Sequence, residues 1–182
     1  LATVRLPTQQ INDYVSVNGG FHLTGNEIGV DAPKGEVCVV EFRDPSSQKL
    51  LALYKPKSLK VAVPNKIFGG LGSLILFTVN DSISHPAVEV EYKIQSNTLD
   101  ARTGLDIVSD IPFTLGNQNM IIEAEILRWP LDSREIEFNL FTDSRTKSVN
   151  IISDKYFSYE SFRNAGMHFG NSEIEKIYDS YN

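Results

Sequence analysis

The chain has 182 residues, 41% hydrophobic and 22% charged, with a net charge of −6 and one cysteine. A chain of this length buries roughly 70% of its unfolded surface and holds a core without disulfides or metals. The composition excludes disordered and collagen-like classes, and the acidic balance argues against broad nucleic-acid binding.

The first strand signal is GGFHLTG, a weak one. GEVCVVEF and KLLALY follow, separated by the Asp44-Pro45-Ser46-Ser47 turn. This alternation places Cys38 with Val40 and Phe42 on a core face and turns Glu41 and Arg43 outward. LKVAV directs Leu59, Val61 and Val63 inward, and FGGLGS then reads as a glycine-rich turn before the apolar strand SLILFTV. AVEVEYKIQ is the clearest strand: Val88, Val90, Tyr92 and Ile94 oppose Glu89, Glu91, Lys93 and Gln95. DIPFTL, NMIIEAEIL, REIEFNLF and SVNII continue the series, with Gly-, Pro-, Asn- and Asp-rich turns between them.

Only the C-terminus reads as helix, over about 158–181. Ile174, Ile177, Tyr178 and Tyr181 follow helical spacing, and Ser172 with Glu175 forms a capping box. These four apolar residues are candidates for an interface on this or a neighbouring sheet. The expected fold is a single all-β domain over 1–182, an antiparallel β-sandwich of jelly-roll type closed by that helix.

No residue pattern points to catalysis, and neither a cofactor nor a metal is expected. The three histidines fall in separate segments without ligand spacing. The pairs Glu89/Glu91, Glu123/Glu125 and Glu135/Glu137 could serve glycosidase chemistry in a cleft, but alternation produces such pairs on any solvated strand face. FGGLGS leads into a strand rather than a helix, which removes the phosphate-loop reading.

Two features suggest binding. Lys55, Lys57, Lys60 and Lys66 cluster in KPKSLKVAVPNK, either as an edge for an anionic partner or as edge-strand protection. Trp129, in LRWPLDS, either stacks on a sugar or plugs one end of the sandwich.

GEVCVVEFRDP followed by QKLLALYKPK resembles the strand–Asp–turn–strand core of plant-virus cell-to-cell movement proteins, and SLKVAVPN extends the likeness to residue 65. The resemblance implies a jelly-roll shared with small viral coat proteins, and no site residue is carried across on it. The function expected is a non-enzymatic, self-associating structural (coat-like) or movement-type subunit. A carbohydrate-binding β-sandwich module using Trp129 is the alternative.

The expected partners are identical or other protein subunits, with nucleic acid reached only through the lysine patch or an arm before Leu1. No membrane span is expected, because the longest apolar run, LGSLILFTV, has only strand length. LATVRLPTQQ has neither an initiating Met nor a signal pattern, so the chain is expected to be processed or excised. The expected location is cytoplasmic or virion, with the extracellular space left open.

Overall fold

The computed structural model describes residues 8–24, 27–32, 34–62, 65–79, 81–103, 111–116, 120–140, 150–153 and 167–168, the last two stretches by backbone alone. Their strands are β1 (Gln9–Gln10), β2 (Val15–Asn18), β3 (Gly20–Thr24), β4 (Glu27–Asp31), β5 (Val39–Arg43) and β6 (Leu50–Pro56). Next come β7 (Ser58–Ala62), β8 (Lys66–Phe77), β9 (Ser82–Lys93), β10 (Thr98–Thr103) and β11 (Phe113–Leu115). The last five are β12 (Met120–Glu123), β13 (Ile126–Pro130), β14 (Ile136–Asn139), β15 (Asn150–Ser153) and β16 (Met167–His168). All pairings are antiparallel except β14 with β16. The expected helix, with Ile174, Ile177, Tyr178 and Tyr181, lies outside the described residues.

The architecture is the all-β antiparallel sandwich of jelly-roll type that the alternation predicts. Its two layers share the long strands β8 and β9. Sheet one runs β3-β4-β7, the first half of β8, the second half of β9, then β10-β13-β14-β16. Sheet two runs β1-β2-β5-β6, the second half of β8, the first half of β9, then β11-β12-β15. Ring contacts bridge the layers. Phe42 of β5 meets Tyr92 of β9 edge-on at 5.3 Å, and Phe113 of β11 meets Phe138 of β14 at 5.6 Å. The inward residues of both sheets form one core, including Val40, Tyr54, Leu76, Val90, Leu99 and Leu127.

FGGLGS is therefore not a turn. It lies within β8, at the point where the strand leaves one layer for the other. From Gly69 to Gly72, three steps on β8 face two on β9, from Val90 to Val88; from Gly72 to Leu74, two steps face three, from Val88 to His85. The two bulges offset each other in register while bending both strands, the usual way a strand turns a corner between sheets. Gly72 lets backbone approach closely there: a Cβ would lie 2.5 Å from the Lys55 carbonyl oxygen and 2.6 Å from the Cα of Pro56.

On β9 the crease is made by His85 and Pro86. Pro86 has no N–H for the ladder. The N–H of Ala87 donates to His85 Nδ1 at 3.1 Å instead, so Nε2 carries the ring proton and donates to the Ile111 carbonyl at 2.8 Å. The imidazole is buried, with its centroid 4.8 Å from that of Phe113. Burial lowers its pKa below the ordinary 6.5.

The unfolded chain therefore binds this proton at higher pH than the fold does. Stability from His85 is complete above about pH 6.5 and declines as pH falls toward the lowered folded value. Thermal unfolding of wild type and His85→Gln between neutral pH and pH 5 tests this, with a shallower pH slope expected in the variant. Equal slopes would remove His85 from the account.

The opening hairpin has the expected form. Cys38, Val40 and Phe42 are core residues, while Arg43 Nη2 pairs with Glu41 Oε2 at 2.9 Å on the outside. Burial, with the charge of Asp31 second, pushes the Cys38 thiol up to about 11, so it stays protonated and inert. Asp44 accepts the N–H groups of Ser46 and Ser47 at 2.9 and 2.7 Å, closing the turn.

Candidate interaction surface

The lysines do not guard an edge. β6 lies between β5 and β8, and β7 between β4 and β8, so both are interior strands. Lys60 pairs with Glu27 at 3.2 Å and Lys66 with Glu91 at 2.8 Å. The Lys66 ammonium also lies 5.5 Å from the Phe68 ring centroid. Lys55 and Lys57 are exposed on and just after β6. Two of the four charges are thus paired with acidic neighbours, and a nucleic-acid partner has no support from the cluster.

Trp129 is 5% exposed, and its Nε1–H donates to the Ser133 carbonyl at 3.0 Å, fixing the turn that follows β13. A buried indole offers no platform for a sugar, which corrects the carbohydrate-module alternative. Among the described residues, no group of three or more His, Cys, Asp or Glu side chains is placed to hold a metal ion. No helix among them is long and apolar enough to cross a membrane.

The two outer faces differ in chemistry. On sheet one a single cross-strand row contains Lys60, Phe68, Glu91, Asp100, Arg128 and Glu137. Its centre is Asp100, fully buried although it belongs to the outer face. Lys93 Nζ donates to its Oδ2 at 2.7 Å and Arg128 Nε to its Oδ1 at 2.8 Å. Burial opposes ionisation of Asp100, but the hydrogen bonds and charges of Arg128 and Lys93 outweigh it and hold the carboxyl below its usual range. A shallow groove of about 430 Å³ adjoins this row at the bend, with Lys60, Phe68, Gly70, Glu89 and Arg102 on its walls. On sheet two the corresponding row holds Ser16, Glu41, Leu53, Ile75, Ser84, Thr114 and Ile121, with Glu41 as its one charged residue.

One open edge of sheet one is β3. Among the described residues it pairs with β4 alone, leaving its other side without a neighbouring strand. Its sequence, GFHLT, contains no Lys, Glu, Asp or Pro, the residues with which proteins usually block such edges. Leu23 stands opposite Ile28 on the core-facing side of the hairpin and is 78% exposed. On the other side His22 lies across Gly29, where a Cβ would meet the ring at 2.3 Å, and its Nδ1 is 3.4 Å from Asp31 Oδ2. In the sequence GGFHLTG is only a weak strand. The available signal was its Phe21/Leu23 alternation without a charged residue.

No protein-family model and no curated protein sequence matches the chain. A solved structure with a similar course is LptH, described as the LptA-homologous periplasmic component of the lipopolysaccharide transport device from Pseudomonas aeruginosa. It is 8% identical, with a TM-score of 0.48 over 78% of this chain and 95% of that one. That finding replaces the viral expectation: the structure found belongs to a periplasmic transport device, not to a coat or movement protein. The coat-like and movement-type readings are withdrawn, and with them the cytoplasmic or virion location. A likeness of this degree transfers neither ligand nor activity to the present chain.

Proposed function

We propose that this chain is a non-enzymatic protein-binding module that takes up an extended strand of a protein partner along β3. The observation that carries the reading is the state of that edge: unpaired among the described residues, uncharged, and bearing an apolar side chain left 78% exposed. An edge of this kind supplies a row of backbone donors and acceptors for affinity, while pockets for alternate side chains supply selectivity. An incoming strand would also cover Leu23, extending the apolar layer that Phe21 and Ile28 continue from the core.

The test is Leu23→Lys in the whole chain. An exposed position tolerates the change within about 0.5 kcal/mol of folding stability, so lost binding would not reflect lost fold. The wild-type chain, recovered from its native source, is expected to hold a stoichiometric protein partner, a second copy included. Leu23→Lys is expected to bind at least about tenfold more weakly, or ~1.4 kcal/mol. A wild-type chain without such a partner, or a variant that holds it equally well, would overturn the reading.

A further inference from the structure

We propose that the strand added at β3 is β3 of a second copy, antiparallel to the first about a two-fold axis through His22. This rests on the strand-addition reading above and names its partner. β3 has five residues, Gly20–Thr24. Centred on His22, antiparallel pairing sets Gly20 against Thr24, Phe21 against Leu23, and His22 against its own copy. Every residue of the strand is then used; a shift of the centre by one residue leaves two without an opposite.

Side-chain chemistry agrees with that register. Residues directly opposite one another in an antiparallel pair lie on the same face. Phe21 and Leu23 share the core-facing side with Val30 and Ile28 of β4. Two-fold pairing therefore places Leu23 of each copy against Phe21 of the other, covering the side chain now 78% exposed twice over. The self-complementary pattern is what an isologous contact requires.

Charge does not oppose the meeting, although each chain carries −6. β3 contains no carboxylate and no ammonium. The nearest acids on β4, Glu27 and Asp31, sit one strand back, paired with Lys60 at 3.2 Å and with His22 at 3.4 Å. Like charges directly opposed across a joint would destabilise it; this register opposes no carboxylates and no ammonium groups, and the one titratable pair it sets face to face is His22 with its copy.

The register is read by cross-linking the purified full chain. In the His22→Cys variant the two thiols lie opposite each other at the axis. Opposed Cα atoms of an antiparallel pair are about 4.5–5.5 Å apart, within the span of a disulfide. Cys38 is buried, with its thiol pushed up to about 11, so it does not compete.

With oxidised glutathione as oxidant, His22→Cys is expected to give a linked dimer whose yield rises with protein concentration. Thr24→Cys, whose opposite is Gly20, is expected to give several-fold less, and Leu23→Lys added to His22→Cys to remove the product. A monomeric His22→Cys chain, or equal linking through Thr24→Cys, would overturn the two-copy pairing. Should that happen while Leu23→Lys still abolishes capture of a different protein, strand addition at β3 stands and only the identity of the partner falls. Loss of both effects removes both readings.

Discussion

Replacing Arg128 by Met is expected to destabilise the fold by about 3 kcal/mol, and replacing Asp100 by Asn by about 2 kcal/mol. The order follows from which group is left buried. Asp100 has no exposure, while the Lys93 and Arg128 side chains reach it from positions that remain 35% and 45% exposed. Without Arg128 the carboxylate stays inside with one donor fewer. Removing one partner of a buried charge pair typically costs 3–5 kcal/mol, and the retained Lys93 contact puts this case at the lower end. Without the carboxylate, the two cations can turn toward water, and the loss approaches that of a charge-assisted hydrogen bond, roughly 1.5–3 kcal/mol.

The pH dependence has the opposite origin from that of His85. The Asp100 carboxyl is held below its ordinary 3.8, so the fold binds this proton less readily than the unfolded chain. Its stabilisation is complete above about pH 4 and is lost as pH falls through the lowered value. Arg128→Met removes the main counterweight to burial, and the midpoint of acid unfolding should move to higher pH. Urea unfolding at neutral pH and acid titration followed by circular dichroism give both quantities. A cost below about 0.5 kcal/mol for Arg128→Met, the range of an ordinary surface change, would show that the network contributes little.

The second large effect is expected at the crease. Gly72→Ala should cost about 2–4 kcal/mol, because the atoms a methyl group would meet are the backbone of Lys55 and Pro56. Backbone held in the β6–β8 ladder cannot rotate aside as a flexible side chain could. Gly70→Ala, two residues away, meets nothing nearer than the Ser58 carbonyl oxygen at 3.9 Å and should stay within about 1 kcal/mol of wild type. Paired denaturant curves for the two variants separate close packing at the bend from a general dislike of side chains there. Equal costs would contradict the account.

These two sites also show where the sequence was legible. The alternating strands were readable because one face is buried and the other wet, so AVEVEYKIQ and GEVCVVEF declare which face is inward. TLDART was not, since Thr98, Leu99, Asp100 and Ala101 are buried in succession and alternation disappears. Asp100 is hidden on the outer face only because Lys93 and Arg128 close over it, a tertiary effect that no local pattern carries. FGGLGS was misread for a different reason: a glycine cluster signals either a turn or a close backbone approach inside a strand. Which one applies depended on β6, ten or more residues earlier. NMIIEAEIL likewise reads as one strand but turns a corner at Ala124–Glu125, passing from β12 in sheet two to β13 in sheet one.

The candidate surface was less legible still. The lysines drew attention because charge is conspicuous in sequence, yet strand order places them on or beside interior strands, and Lys60 and Lys66 pair with acids. β3 drew little because an edge is defined by what does not pair with it. Only the order of strands reveals that GFHLT ends its sheet.

The claim that β3 receives a partner's strand is tested most directly by amide hydrogen exchange on the recovered complex and on the free chain. The account predicts slower exchange on binding within Gly20–Thr24, with the interior strands β6 and β7 unchanged. Protection elsewhere with β3 exchanging at its free rate would contradict it.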